Sequence, residues 1–291
     1  MKIVFSLYLI SSLVFFACSD GNNDSEQGKT SSSESNVTDS NDYMVFTVPS
    51  PIIVSSMLKS LDLEFNESLI EDNINRGITC NRSMSKALNL GICLVDLSYA
   101  SLFNQTQASL KLYKKVNEYT KMLGIESQEI LDLTKKLESN VSNPDSLIKV
   151  LSEMQSKIDK YFLNREEQEL ALLILAGIFT EGLHISLNYI SELEDNGNLI
   201  KYKENLDQML LQQKVHLKNL NDLLSVYNKS VDYENLRNIF GELEDVFNDL
   251  AFNYSMSEDR KKIDRIYFKR KNLFLLLKKN STVREKMLSA E

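Results

Sequence analysis

A chain of 291 residues is long enough to bury a full hydrophobic core, and a composition of 43% hydrophobic and 25% charged residues is ordinary for a globular protein. The formal net charge of −8 argues against general binding to nucleic acid. Only 9 glycines and 3 prolines occur, and so few helix breakers favour long helices over many short strands.

The first 17 residues have the pattern of an export signal. Lys2 supplies a positive charge, and Ile3 to Phe16 form an apolar stretch that is too short for a permanent transmembrane helix. Ala17 is the small residue that lipoprotein signal peptidases accept before a cysteine, here Cys18. We therefore expect residues 1–17 to be a lipoprotein signal peptide and Cys18 to carry the lipid, such as palmitate. The alternative is an ordinary signal peptide followed by an incidental cysteine.

A polar segment follows the lipidated cysteine. Ser19 to Asn41 consists almost wholly of small, polar and acidic residues and contains no aromatic residue. Such a composition cannot bury enough apolar surface to fold, so residues 18–41 are predicted to be a flexible, disordered tether. Residues 42–291 are predicted to form a single α-helical domain, anchored to the bilayer through Cys18. This organisation indicates an exported protein of the cell envelope, on an outer membrane and facing the periplasm or the cell surface.

Two further cysteines, Cys80 and Cys93, would lie in an oxidising compartment after export. Cys93 lies roughly 15 Å down the axis of a helix that begins near Ser83. The three loop residues before the helix, Cys80 to Arg82, reach at most about 10 Å and would have to fold back, whereas a disulfide needs its Cα atoms within about 7 Å. We predict two unpaired, buried thiols.

In chain order, apolar periodicity and capping residues predict the elements of the first half of the domain. An extended segment over Asp42–Ser50 is followed by a short helix that Ser50 caps and that has Pro51 in its first position. A second short helix covers Glu67–Ile74. A buried helix runs from Ser83 to Phe103 and continues past a kink near Asn104 to Leu123, before Gly124, and the next helix covers Ser127–Glu138.

The second half is predicted to be helical as well. Asn143, Pro144 and Asp145 begin a helix with one apolar face, and Glu166–Leu193 is a second very apolar helix. Its uninterrupted apolar run, Leu170–Phe179, is only ten residues long, which is typical of a core helix and too short for a membrane span.

Three more helices follow the break at Asn196 and Gly197. Their apolar faces are Leu206, Leu210, Leu217, Leu220, Leu224 and Tyr227, with one polar layer at Gln213; then Leu236, Phe240, Leu243, Phe247 and Leu250; and finally Ile263, Ile266, Phe274 and Leu277. Short connections imply antiparallel neighbours. The sequence therefore predicts an all-α fold of antiparallel helical hairpins around two very apolar central helices.

Charge is distributed unevenly along the domain. Ser257–Glu291 carries 11 basic and 5 acidic residues, a net charge of +6, whereas Asp42–Met256 carries 20 basic and 31 acidic residues, a net charge of −11. One interpretation is that the basic C-terminal helix docks on the acidic body. The other is a cationic amphipathic surface that touches anionic lipid or another polyanion.

Two acids interrupt the most apolar helices. Asp96 is followed three residues later by Tyr99, and Glu181 is followed three residues later by His184, on the same helix face. A carboxylate in such surroundings must be hydrogen-bonded, paired or protonated. Three interpretations remain open: a buried polar cluster whose four members satisfy one another and fix the register of two core helices, the polar floor of a ligand pocket, and catalysis by a carboxylate pair.

The spacing of Glu181 and His184 also occurs in one half of a carboxylate-bridged di-iron site. Such a site requires a second Glu-x-x-His pair, but the other histidine, His216, is preceded at that spacing by Gln213. We therefore predict no metal site. The sequence also lacks a glycine-rich phosphate loop and a convincing Ser/His/Asp set, so no catalytic residue and no cofactor is predicted.

Several short motifs are specific as a set: Ser85–Gly91, Asp96–Ala100, Phe103–Gln107, Leu123–Ile125, Pro49–Pro51, the helix start at Asn143 to Leu147, and Gly182–Leu183 beside Glu181. Together they resemble a family of uncharacterised lipoproteins from Bacteroidetes. The resemblance covers roughly Pro49 to Ser191 and implies a helical fold and an envelope location.

The chain departs from the pattern of that family next to the second acid. Members of the family usually carry an aromatic residue before the acid and a tyrosine three residues after it, where this chain has Thr180 and His184. This departure argues against an essential role for His184 as a ligand. Ser19 and Asp20, directly after the cysteine, also resemble the short signal that sends some lipoproteins of these bacteria to the cell surface.

The leading functional hypothesis is a non-enzymatic, membrane-tethered binding or structural component of the envelope, with the bilayer and a possible envelope protein as partners and without nucleic acid. The alternative hypothesis is a small-ligand carrier or an enzyme whose pocket is lined by Asp96, Tyr99 and Glu181.

Overall fold

α-Helices make up most of the chain that the computed structural model describes, and all of the described residues belong to one compact unit, Val45–Glu291. The predicted signal peptide, the tether and most of the predicted extended segment lie outside the described residues. The described ranges are 49–125, 128–140, 143–163, 168–226, 231–250, 252–256, 263–268 and 273–289.

The elements follow one another in a mainly helical order. They are α1 (Ile53–Ser60), a short 3₁₀ helix (Glu67–Leu69), α2 (Glu71–Asn75), α3 (Ser83–Leu102), α4 (Thr106–Met122), α5 (Gln128–Asn140), α6 (Pro144–Leu163), α7 (Gln168–Asp195), α8 (Leu199–Val226), α9 (Val231–Asp249), strands β1 (Phe252–Met256) and β2 (Ile263–Phe268), and α10 (Leu273–Ser289).

Helices α3 and α7 form the centre of the fold, as the two very apolar segments predicted. Almost every side chain of α3 from Ser85 onward, and of α7 from Ala171 to Ile190, is buried. Their backbones touch where Gly91 faces Gly177, since a Cβ atom on either glycine would overlap a carbonyl oxygen of the other helix. The absence of two side chains therefore allows the two helices to pack in direct backbone contact.

The other helices surround this pair, mostly as hairpins of consecutive elements. Helix α4 packs against α3, α5 against α6, and α8 against both α7 and α9. The predicted seam of α8 is confirmed from Leu206 to Leu224, because its leucines and Gln213 are buried. Among the described residues α7 is the one helix that is long and apolar enough to cross a membrane, and 89% of its most apolar window is buried inside the fold.

The C-terminal helix α10 packs on α3, α7 and α9. Its exposed side contributes an ion pair between Lys279 and Glu242 on α9, and Arg284 reaches Glu181 in the interior. The predicted docking of a basic C-terminal helix on the acidic body is thus confirmed for Leu273–Ser289.

Several predicted boundaries are confirmed by local geometry. The Asn143 side chain accepts a hydrogen bond from the Ser146 amide at 3.1 Å, which caps α6. Gly124 and Gly197 adopt positive φ angles of 68° and 74° after α4 and α7, the left-handed conformation that glycine adopts without strain at helix ends.

Three predicted boundaries are wrong. The helix from Ser83 does not kink near Asn104 but ends at Leu102, because Asn104 itself adopts a φ of 60°, which asparagine tolerates better than most residues. Ser50 does not cap the first helix: α1 begins at Ile53, whose amide bonds to the Ser50 carbonyl oxygen. The predicted helix over Glu67–Ile74 is divided into the 3₁₀ helix and α2.

The predicted last helix is wrong in its first part. Ile263 and Ile266 lie in β2, which pairs antiparallel with β1 and packs against α8. Their spacing of three residues is compatible with a helix, but β-branched and aromatic residues dominate this stretch and favour a strand. The all-α core is unaffected, and Phe274 and Leu277 do belong to α10.

Candidate functional site

The two interior acids meet where α3 and α7 cross. Asp96 and Glu181 lie four to five residues beyond the two contacting glycines, and both side chains are 0% exposed. The two carboxyl groups are close enough for the negative charge of Glu181 to raise the pKa of Asp96. Of the four residues predicted to form a polar cluster, the structure brings only these two acids together.

Each acid has one further partner, from an outer element. Asn73 on α2 donates from Nδ2 to Asp96 Oδ2 at 2.5 Å, and Arg284 on α10 donates from Nε to Glu181 Oε2 at 2.5 Å. The remaining oxygens, Asp96 Oδ1 and Glu181 Oε1, receive no hydrogen from another described residue. Two neighbouring carboxyl groups without water contact favour a proton on one of them, because two buried like charges repel each other.

Asp96 is the acid of this pair whose neutral form is favoured. Burial, and next the negative charge of Glu181, raise the pKa of Asp96 well above its usual range. Burial lowers the pKa of Arg284, but the negative charge of Glu181 raises it by more. The pKa of the guanidinium is therefore above its usual value. The geometry is therefore that of an acid with a raised pKa beside the buried ion pair of Glu181 and Arg284.

The outer partners are themselves fixed in place. Lys115 on α4 donates from Nζ to the carbonyl oxygens of Asn73 and Arg76, which holds the end of α2 against α4. The Asn73 amide also lies 3.5 Å from the buried Cys93 sulfur, and burial raises the pKa of that thiol to about 12. Cys93 and Cys80 are both free and buried, which confirms the predicted pair of unpaired thiols.

Tyr99 does not join the two acids. Its hydroxyl lies 2.5 Å from the Tyr189 hydroxyl and accepts a hydrogen bond from the Asn66 amide at 2.8 Å. Tyr189 in turn donates to the Glu64 carbonyl oxygen at 2.5 Å. The two tyrosines thereby fasten the segment between α1 and the 3₁₀ helix onto the central helices, and burial raises the pKa of Tyr99.

His184 also has its own partners. Its Nε2 lies 3.2 Å from the Leu69 carbonyl oxygen, and its Nδ1 lies 3.2 Å from the Asn188 amide nitrogen. These contacts correspond to a neutral ring that donates from Nε2 and accepts at Nδ1. Burial lowers the pKa of His184, so the neutral form is favoured. Among the described residues no group of three or more His, Cys, Asp or Glu is arranged to hold a metal ion.

Sequence reasoning missed Asn73, Tyr189 and Arg284. Arg284 has the clearest signal in retrospect, because Leu273, Leu276, Asn280 and Arg284 recur at steps of three and four and occupy the buried face of α10. Asn280 donates to the Thr180 carbonyl oxygen at 3.1 Å, one residue before Glu181. Polar residues in an otherwise apolar stripe thus marked the contact with α7.

Comparison of the chain with protein-family models, with curated proteins and with solved structures gives no match.

Proposed function

We propose that this chain is a lipid-anchored protein of the bacterial envelope, whose helical body is a rigid, non-enzymatic binding or structural unit. The anchor is proposed from the sequence of residues 1–41: a short apolar stretch, Ala17 before Cys18, and a polar segment of the length of a tether. A lipid on Cys18 would keep the body close to the bilayer surface.

One observation carries the proposal for the body. Asp96 and Glu181 have no exposed surface, and their hydrogen bonds come from the outer elements α2 and α10. A catalytic carboxylate must reach a substrate, whereas a buried pair whose partners come from several helices fixes the relative positions of those helices. The interior acids therefore support a structural role better than catalysis.

Metabolic labelling with an alkyne fatty acid tests the anchor. Wild type should incorporate the label and sediment with membranes, whereas Cys18→Ala should lose the label and retain its signal segment. Cys80→Ala is the matched control, because it removes a thiol of the folded body and leaves Cys18 in place. Equal labelling of wild type and Cys18→Ala, or no label on wild type, would overturn the anchor.

A further inference from the structure

A small cleft opens on the body at the start of α3, between α9 and α10. Its volume is about 160 Å³, close to that of a cavity of about 150 Å³ that holds benzene in another protein. Its apolar lining is formed by Met84, Leu88, Leu236, Ile239, Val283 and Met287. A cleft of this size accommodates an apolar group of about six to eight carbons.

The cleft also has polar and positively charged lining residues. Ser85, Asn235, Arg82 and Lys286 line it, and no acidic residue does. Ser85 is 2% exposed and lines the cleft, so its hydroxyl can donate a hydrogen bond to a ligand bound there.

The backbone at the start of α3 adds to these polar groups. No side chain caps the first turn of α3, and no acidic residue lies in that turn, so its amide groups favour a negative charge. The position of α10 beside this turn is fixed by Asn89, which donates to the Met287 carbonyl oxygen at 2.9 Å. Lys286 is thereby held beside the start of α3.

We propose that this cleft binds a small amphiphilic carboxylate, with its alkyl chain among the apolar residues and its carboxylate on Ser85 and Lys286. The apolar lining selects the chain, while the hydroxyl and the ammonium group donate hydrogen bonds to the carboxylate oxygens. The site lies wholly in the helical body. It does not depend on the proposed lipid anchor and stands or falls separately from it.

Photo-crosslinking of the full chain in membranes tests this site. The probe is a medium-chain carboxylate that carries a diazirine and an alkyne, and mass spectrometry locates the labelled peptides. We expect label on the peptides that contain Leu88, Ile239 and Met287, and competition by octanoate. Acetate lacks the chain and octan-1-ol lacks the charge, so both should compete at least about tenfold more weakly.

Matched variants separate recognition of the carboxylate from general apolar binding. Lys286→Gln should weaken competition by octanoate about three- to tenfold, and Lys278→Gln, an exposed lysine of α10 outside the cleft, should not. Ile239→Glu should abolish labelling by placing a negative charge in the cleft, while Val246→Glu on the same helix should retain it. Circular dichroism shows whether each variant is folded.

Any of three results on the wild-type chain would overturn the proposal whatever the variants do: label that maps outside the cleft, labelling that octanoate does not reduce, or equal competition by octan-1-ol and octanoate. An equal effect of the two lysine substitutions would refute the assignment of the carboxylate to Lys286.

Discussion

Replacing Asp96 by asparagine tests whether the interior acids share a proton. The amide of an asparagine can donate to Glu181 Oε1 in place of that proton, and its oxygen can still accept from Asn73 Nδ2. The substitution therefore keeps the hydrogen bond from Asn73 but removes the titratable group. Its effect on stability should depend on pH rather than on packing.

The expected magnitude follows from proton linkage. The unfolded chain ionises Asp96 near pH 3.9, whereas burial and the charge of Glu181 raise the folded-state pKa of Asp96. Folding above about pH 4 therefore takes up one proton. The contribution of Asp96 to the free energy of unfolding is complete below its unfolded-state pKa and is lost as pH rises toward its folded-state pKa. Relative to wild type, Asp96→Asn should gain about 1.4 kcal/mol per pH unit over that window.

Urea unfolding of residues 42–291 at several pH values between 5 and 8 measures this difference. The free energy of unfolding of Asp96→Asn minus that of wild type should rise with pH and level off at the folded-state pKa of Asp96. Asp195→Asn is the control, because Asp195 is an exposed acid at the end of α7. It shows how much the loss of a solvated carboxylate changes the pH dependence of the free energy of unfolding. A difference between Asp96→Asn and wild type that stays constant with pH would refute the shared proton.

Two further substitutions test the packing. Arg284→Met should lower the free energy of unfolding by about 3–5 kcal/mol, because it leaves the buried charge of Glu181 without a counter-ion. Lys279→Met breaks a solvent-exposed ion pair and should lower it much less. Equal losses of the two variants in urea unfolding would contradict the buried pair. Gly91→Ala should cost about 1–3 kcal/mol or more, since its Cβ would overlap the backbone of the facing helix. A Cβ atom at Gly77 would meet open space, so Gly77→Ala should change the free energy of unfolding by less than about 1 kcal/mol. Equal melting temperatures for the two glycine variants would argue against the backbone contact between α3 and α7.

Much of the helical architecture could be predicted because long apolar periodicity has few alternatives in a chain with so few breakers. The two central helices and the seam of α8 were found in this way. The β-hairpin was missed because Ile263 and Ile266 have a spacing that suits a helix as well as a strand. The break at Asn104 depends on one backbone angle, which residue type alone does not determine.

The candidate site was predictable only in part. Asp96 and Glu181 were identified because a charge within an apolar run is costly unless it has a partner. The identity of that partner depends on tertiary structure: Arg284 lies 103 residues from Glu181, in a segment whose positive charge also suited an exposed surface. Tyr99 and His184 share helix faces with the acids, but the segments packed over them supply nearer partners.

Infrared difference spectroscopy tests the central claim about the interior most directly, because it detects a protonated carboxyl group itself. The folded chain at neutral pH should show the C=O stretching band of a carboxylic acid that disappears in Asp96→Asn. The band should also disappear in Glu181→Gln, where Asp96 becomes the counter-ion of Arg284. A wild-type spectrum without such a band would mean that both acids are ionised and would contradict the account.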